Sequence, residues 1–307
     1  MNSAEWAVRV SNSMRRSGKG RTQWRFIVGL SVLGLLLIAS ASHAGNRLLA
    51  TGGVAQVEGS AGGGLTPWAL IAGLGTDRQT GASAFCTTVS PQAFELRSCG
   101  AAVGLRDRVE LSFARQRFDL DQVIPDTAIY QTVVGGKVKL LGDAVFDQDR
   151  WYPQMAAGFQ YKKNSSFDFV PALLGARDDS DVDYYLAATK VYLAGPFSRT
   201  WLVNATLRAT RANQMGILGF GGDRNDRRKL VAEGSLAAFL SDALVLGAEY
   251  RQKPDNLSSF HEDDYWDLFS AWFPTKNVSL TAAYADLGQI AMKTDQHGWY
   301  LSLQGSF

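Results

Sequence analysis

The chain has 307 residues, of which 46% are hydrophobic and 20% charged, with a formal charge of +2. The positive sign belongs to the first 44 residues, which hold six of the 31 basic residues and one of the 29 acidic ones; the remainder carries −3 and offers no basic surface for nucleic acid. Two cysteines and, past residue 44, two histidines lack the clustered spacing of a metal site, so neither a metal nor another cofactor is expected.

Residues 1–44 read as a cleaved signal peptide. Arg9, Arg15, Arg16, Lys19, Arg21 and Arg25 form a basic leader, Phe26 to Ala39 an apolar core, and Ser42-His43-Ala44 a small-x-small cleavage site before Gly45. The apolar core is short of the roughly 20 residues that a membrane helix needs. Past Ala44 no uncharged apolar run approaches that length, so a membrane protein made from this chain is a closed β-barrel.

Gly45 to Gly64 is small and glycine-rich, and three readings stay open: a tail, a plug tucked into a lumen, or an extra strand through Val54 to Glu58. From Leu65 one unit recurs, about ten alternating residues and then a turn. Strands are expected at 65–74, 93–105, 108–118, 128–141, 151–163, 181–193, 200–211, 228–240, 243–252, 264–274, 277–287 and 297–307. In 243–252, Leu244, Leu246, Ala248 and Tyr250 share one face and Val245, Gly247, Glu249 and Arg251 the other. In 128–141 the outward candidates are Val134, Val138 and Leu140, which turns Lys137 and Lys139 inward. Both faces of 181–193 are mixed, and its register stays unassigned.

Links of about two residues at Arg106-Asp107, Ser241-Asp242 and Thr275-Lys276, with modest ones at 142–150 and 194–199, alternate with long polar links at 75–92, 119–127, 164–180, 212–227, 253–263 and 288–296. That is the pattern of a membrane barrel with a tight-turn rim and a long-loop rim. With both ends of the wall at the tight rim the strand count is even. The fold class is therefore all-β, an antiparallel transmembrane β-barrel over residues 65–307 with 12 strands. The alternative is 14, if Thr80 to Val89 pairs with 48–58. A soluble β-sandwich is the weaker competitor, since it requires neither apolar faces on every strand nor this loop pattern.

Trp68, Trp151, Trp201, Trp266, Trp272 and Trp299, with Phe307, are the candidates for an aromatic girdle, most of them near expected strand ends. Cys86 and Cys99 flank a turn at Ser90-Pro91-Gln92; a cross-strand disulfide and two unpaired thiols both fit. The last stretch sets Trp299, Leu301, Leu303, Gly305 and Phe307 against Tyr300, Ser302, Gln304 and Ser306. It resembles the closing strand of bacterial outer-membrane β-barrels, which implies outer-membrane lipid as its surroundings and the barrel-assembly machinery as a partner.

Four further stretches are distinctive: Gly62-Gly63-Gly64-Leu65-Thr66-Pro67-Trp68-Ala69-Leu70, Asp107-Arg108-Val109-Glu110-Leu111-Ser112-Phe113-Ala114-Arg115-Gln116, Gly219-Phe220-Gly221-Gly222-Asp223-Arg224-Asn225-Asp226 and Lys276-Asn277-Val278-Ser279-Leu280-Thr281-Ala282-Ala283-Tyr284. Together they resemble a proteobacterial family of exported proteins classed only as a domain of unknown function. The resemblance covers essentially the whole mature chain. It implies an outer-membrane barrel and supplies no catalytic or ligand residues.

Inward charges are the functional lead. Arg97, Lys137, Lys139 and Lys162 are expected on one wall, and Glu233, Glu249 and Asp267 on the wall across from it, as lumen or constriction candidates. Such walls would set a transverse field across a narrow pore and orient dipolar solutes. The resulting function is a passive channel for small polar or charged solutes. The alternative is a structural barrel whose lumen is filled by these charges with Arg208, Arg251, Glu95 and Glu110. An outer-membrane hydrolase built on His261 or His297 and nearby acids comes third, without a nucleophile motif. The Gly216-to-Gly222 stretch lacks the Lys-Ser/Thr of a phosphate loop and reads as a flexible outer loop.

Overall fold

The computed structural model describes residues 50–307; the expected signal peptide lies outside them. Its strands are β1 (Val54–Ala55), β2 (Ala61–Gly62), β3 (Thr80–Pro91), β4 (Glu95–Leu105), β5 (Val109–Asp119), β6 (Ala128–Leu141), β7 (Gln154–Asn164), β8 (Ser180–Tyr192), β9 (Trp201–Thr210), β10 (Lys229–Ser241), β11 (Leu244–Arg251), β12 (Tyr265–Thr275), β13 (Val278–Asp286) and β14 (His297–Ser306). Strands β3 to β14 form a closed barrel of twelve, each antiparallel to the next. Closure is made by β14 on β3, with Gly298 opposite Pro91 and Ser306 opposite Ser83. The backbone of Phe307 continues it, donating to the Ala82 carbonyl at 2.8 Å and accepting from the Ala82 amide at 2.9 Å. A closed wall leaves no edge, the condition for crossing hydrocarbon, where each unpaired backbone group costs several kcal/mol.

Period-two alternation sorts the side chains. In β14, Trp299, Leu301 and Leu303 are 60%, 56% and 53% exposed while Tyr300, Ser302 and Gln304 are buried. The same division runs round the wall, with Leu111, Phe113, Val134, Leu207, Leu236, Leu246 and Leu268 outside. Inside stand Gln116, Gln131, Gln160, Asn204, Thr206 and Ser279, all buried. Apolar outward and polar inward is the pattern of a membrane barrel and the reverse of a soluble β core. In β8 the register is resolved by Asp183, Tyr185, Ala187 and Thr189 facing in and Tyr184 and Leu186 facing out.

One wall strand is corrected. The count of twelve stands, but the first member is Thr80–Pro91, and the expected strand 65–74 lies inside the barrel. Leu65 to Leu74 is apolar without alternation because it is covered on every side, while the outward face of β3 (Ala82, Ala84, Cys86, Thr88) is too small to signal a lipid-facing strand. The expected long link 75–92 therefore disappears, and β3 joins β4 through a tight turn at 92–94 on the long-loop rim. Elsewhere the two rims alternate as expected, although the 142–153 link on the tight-turn rim is longer than the 120–127 loop on the other.

Candidate functional site: the lumen and its folded insert

Residues 51–75 run through the interior of the barrel and are buried almost throughout. They enter beside the tight-turn rim, where Ala50, Gly52 and Gly53 meet Phe273, Val278 and Ser279. They turn back in a small hairpin in which Val54 faces Gly62 and Ala55 faces Ala61, and leave where the Leu74 amide donates to the Phe307 carbonyl at 2.9 Å. Gly59 supports the hairpin tip at φ +100° against the Phe113 backbone and the Ala114 methyl. Gly63 packs so closely on Glu249 that a Cβ there would fall 2.0 Å from the carboxylate. Room for the insert comes from small inward residues of the wall: Gly104 lies under Ala72, Ala102 beside Ala61 and Ala72, and Ala156 and Ala187 beside Ala69.

Polar wall residues grip the insert by its backbone. Lys137 Nζ donates to the carbonyls of Ala61 (2.9 Å), Trp68 (3.0 Å) and Leu70 (2.7 Å), and lies 3.1 Å from Glu110. Glu110 accepts from the Ala61 and Ala72 amides at 3.2 and 2.9 Å and from Ser60 Oγ at 3.0 Å. Glu249 accepts from the Leu65 amide at 2.7 Å, Thr66 Oγ1 at 2.6 Å and Ser235 Oγ at 2.7 Å. Ser98 and Gln116 donate to the Val57 carbonyl at 2.6 and 2.9 Å.

Toward the long-loop end, six buried ionic groups form a closed ring. Lys162 bridges Asp183 (2.6 Å) and Glu58. Arg251 bridges Glu58 (2.7 Å) and Glu233 (3.4 Å). Arg208 joins Glu233 back to Asp183 at 3.5 Å. Signs alternate around the ring and cancel. Five members belong to the wall; Glu58 alone comes from the insert.

Above the ring, the glycine stretch expected to be a flexible outer loop folds into the mouth instead. Asn213 to Gly222 is buried, with Gln131 Nε2 donating to the Met215 carbonyl at 3.1 Å and Asn164 Nδ2 to the Ile217 carbonyl at 2.6 Å. A cavity of about 10 Å³ between Arg208, Met215, Arg251 and Tyr265 has room for about one water.

Of the seven expected lumen residues, Lys137, Lys162, Glu233, Glu249 and Asp267 are buried inside, and Lys139 sits at the tight rim paired with Asp107. Arg97 is a correction: it lies on the outer face with Glu95, since β4 turns Leu96 and Ser98 inward. The facing basic and acidic walls do not confront each other across open space, because insert and neighbouring strands neutralise them. Arg208 and Arg251, which the filled-lumen alternative expects to occupy the interior, are ring members. Asp267 stands opposite Glu249 in register, and among the described residues neither of its carboxylate oxygens has a hydrogen-bond partner.

Among the expected girdle residues, Trp151, Trp266, Trp272 and Trp299 are exposed on the outside, and Trp201 and Phe307 are partly exposed. Trp68 is a correction: it belongs to the insert, where its indole N–H donates to Ser235 Oγ at 2.8 Å. Cys86 and Cys99 stand opposite each other in the β3–β4 pair and form a disulfide on the outer face. His261 Nδ1 lies 3.1 Å from Asp255, while Ser258 Oγ donates to Asp223. His297 Nε2 lies 2.9 Å from Gln92 Nε2. Glu58, missed as a lumen group, had one signal: a lone carboxylate in an otherwise uncharged stretch from Leu48 to Gly75.

A twelve-strand wall, apolar outside and polar inside, defines an outer-membrane β-barrel, here with a folded N-terminal insert in its lumen. Residues 51–304 match the family described as Protein of unknown function (DUF3034), insert and wall together, and the chain belongs to that family. No curated relative matches the sequence. Among solved structures the chain is similar to the KdgM porin, at 11% identity and TM-score 0.47, over 73% of this chain and 99% of that one. It is also similar to the KdgM porin in complex with disordered oligogalacturonate (12%, TM-score 0.49, 73% and 99%) and to Omp33 of Acinetobacter baumannii (9%, TM-score 0.43, 75% and 98%).

Proposed function

We propose that the protein is an outer-membrane channel for small polar or charged solutes, and that the insert is its gate. The observation that carries this is the chemistry of the insert–wall boundary. The wall meets the insert with Ser98, Gln116, Lys137, Lys162, Thr206, Glu249 and Arg251, a lining that would hold water once the insert moved aside. Buried ion pairs are a poor way to fill a lumen permanently, since apolar packing of the same volume is often as stable or more so. They suit a segment that must be held and released. The wall is closed by backbone bonds among its own twelve strands, none of them contributed by the insert. Export through the 1–44 signal and insertion through the C-terminal strand by the barrel-assembly machinery complete the reading, with lipid as the outer surroundings.

The test is planar-bilayer conductance. Wild type is expected to be closed or to open briefly, and a variant lacking residues 50–75 to conduct continuously, with heat-dependent gel mobility showing that its barrel has folded. A folded insert-less barrel without conductance would instead establish the second reading, a structural barrel with a filled lumen, which the close packing of the insert favours.

A further inference from the structure

The ring around Glu58 is chemically asymmetric. Its five wall members are three cations, Lys162, Arg208 and Arg251, and two anions, Asp183 and Glu233. Without Glu58 the wall keeps an unbalanced positive charge, with the Lys162 and Arg251 cations aimed at one vacated position. All six side chains are essentially inaccessible, the most exposed at 4%. The position is built for one carboxylate: Lys162 Nζ meets Oε1, and Arg251 NH1 and Gln56 Nε2 meet Oε2 at 2.7 and 2.9 Å. Two wall cations thus grip the two oxygens of one group, a fit to the planar carboxylate.

From this geometry we infer that the wall carries a carboxylate-binding site which Glu58 occupies in the closed state, and that small carboxylate-bearing solutes take that position when the insert is displaced. Glu58 is then a built-in competitor of the solute, and the ring both latches the gate and selects the passing anion. The inference rests on the gated-channel reading but names its own binding site, so the two can fail separately. Lys137 and Glu249 play no part in this selection: Lys137 is taken up by insert carbonyls and by the wall's own Glu110, and Glu249 by amide and hydroxyl donors of the insert and wall.

The experiment is chemical rescue in the full-length chain. Glu58→Ala leaves the wall cations intact and a space the size of a small acid. Its folded barrel, in detergent, is titrated with propionate, and with propionamide and chloride as controls, while protection of the insert amides is followed by hydrogen exchange. Propionate at millimolar concentration is expected to raise protection at least tenfold, the controls to leave it unchanged, and Arg251→Gln added to Glu58→Ala to abolish the response. An equal response to propionamide, or a propionate response that persists in the double variant, overturns the site. Should Glu58→Ala not fold, wild-type channels decide it: propionate must raise open probability severalfold over chloride at equal ionic strength, and equality of the two salts overturns the site. Absence of conductance from the insert-less barrel would sink the channel reading while leaving the rescue result intact.

Discussion

At the residue scale, Lys137 shows why the lumen is polar. Its ammonium is fully buried, yet three insert carbonyls and one carboxylate surround it, so each of its donors has an acceptor. Replacing it by Met keeps the volume and orphans those acceptors, a change that costs about 3–5 kcal/mol where a buried pair is broken. Lys137→Met should therefore release residues 60–72: their amides should exchange at least a hundredfold faster while the wall strands stay protected and the heat-dependent gel shift persists. Loss of wall protection in parallel would mean that Lys137 supports the barrel rather than the insert. The sequence placed Lys137, Lys162 and Glu249 inside because each belongs to a strand with a clear apolar face. It misplaced Arg97, since β4 has Ala101, Val103 and Leu105 outside and Leu96 and Ala102 inside, leaving little contrast between its faces. Partners were not legible at all, because what a buried charge meets depends on which segment fills the space opposite.

At the scale of elements, the wall and the mouth follow different rules. Wall strands were legible from alternation and from the lengths of their connections, and eleven of the twelve lie where they were expected, with bounds shifted by a few residues. The exception, 65–74 in place of 80–91, fails for one reason: a segment packed inside a barrel loses alternation, so it reads as a generic apolar run. A sign of the insert was present in Gly104, Ala102, Ala114, Gly135 and Ala156, small residues gathered on inward positions where a filled lumen would favour bulk. The mouth is held by loop residues with displaced titrations. Burial pushes the Glu262 carboxyl up to about 7 against the pull of Lys253, and burial pulls the Lys253 ammonium down to about 8. Glu262 receives the Gln214 amide at 3.5 Å, and Lys253 lies 4.3 Å from the Tyr265 ring centre. A carboxyl whose folded value is raised stabilises the fold fully below its ordinary value of 4.5, and that contribution is gone once pH has risen through about 7. Raising pH from 5 to 8 should accordingly loosen the mouth around Gln214 and Glu262. Amide exchange should accelerate there in wild type and less in Glu262→Gln, where the difference reports the carboxyl together with its pull on the Lys253 ammonium. Identical pH profiles for the two proteins would contradict this assignment.

For the whole molecule, two cooperative units share one lumen. The wall is a ring of twelve backbone-paired strands that faces lipid, where no water competes for its amides, so opening any seam exposes unpaired groups to hydrocarbon. The insert's own strands are two residues each, with a few backbone bonds beside them such as Val57 to Gly64 and Trp68 to Ala61, and side chains reaching in from the wall supply much of its hold. Urea solvates peptide groups and weakens polar contacts that water can reach from the rims, but it gains little access to bonds inside a bilayer. The insert should therefore come loose at urea concentrations well below those that open the wall. Trp68 reports this directly: it is the insert's tryptophan, while Trp151, Trp201, Trp266, Trp272 and Trp299 belong to the wall or its rims. In lipid vesicles the fluorescence change attributable to Trp68, taken as wild type minus Trp68→Phe, should complete several molar before the heat-dependent gel shift is lost. Coincident midpoints would mean that insert and wall fold as one unit, and an insert that cannot leave a standing wall cannot serve as its gate.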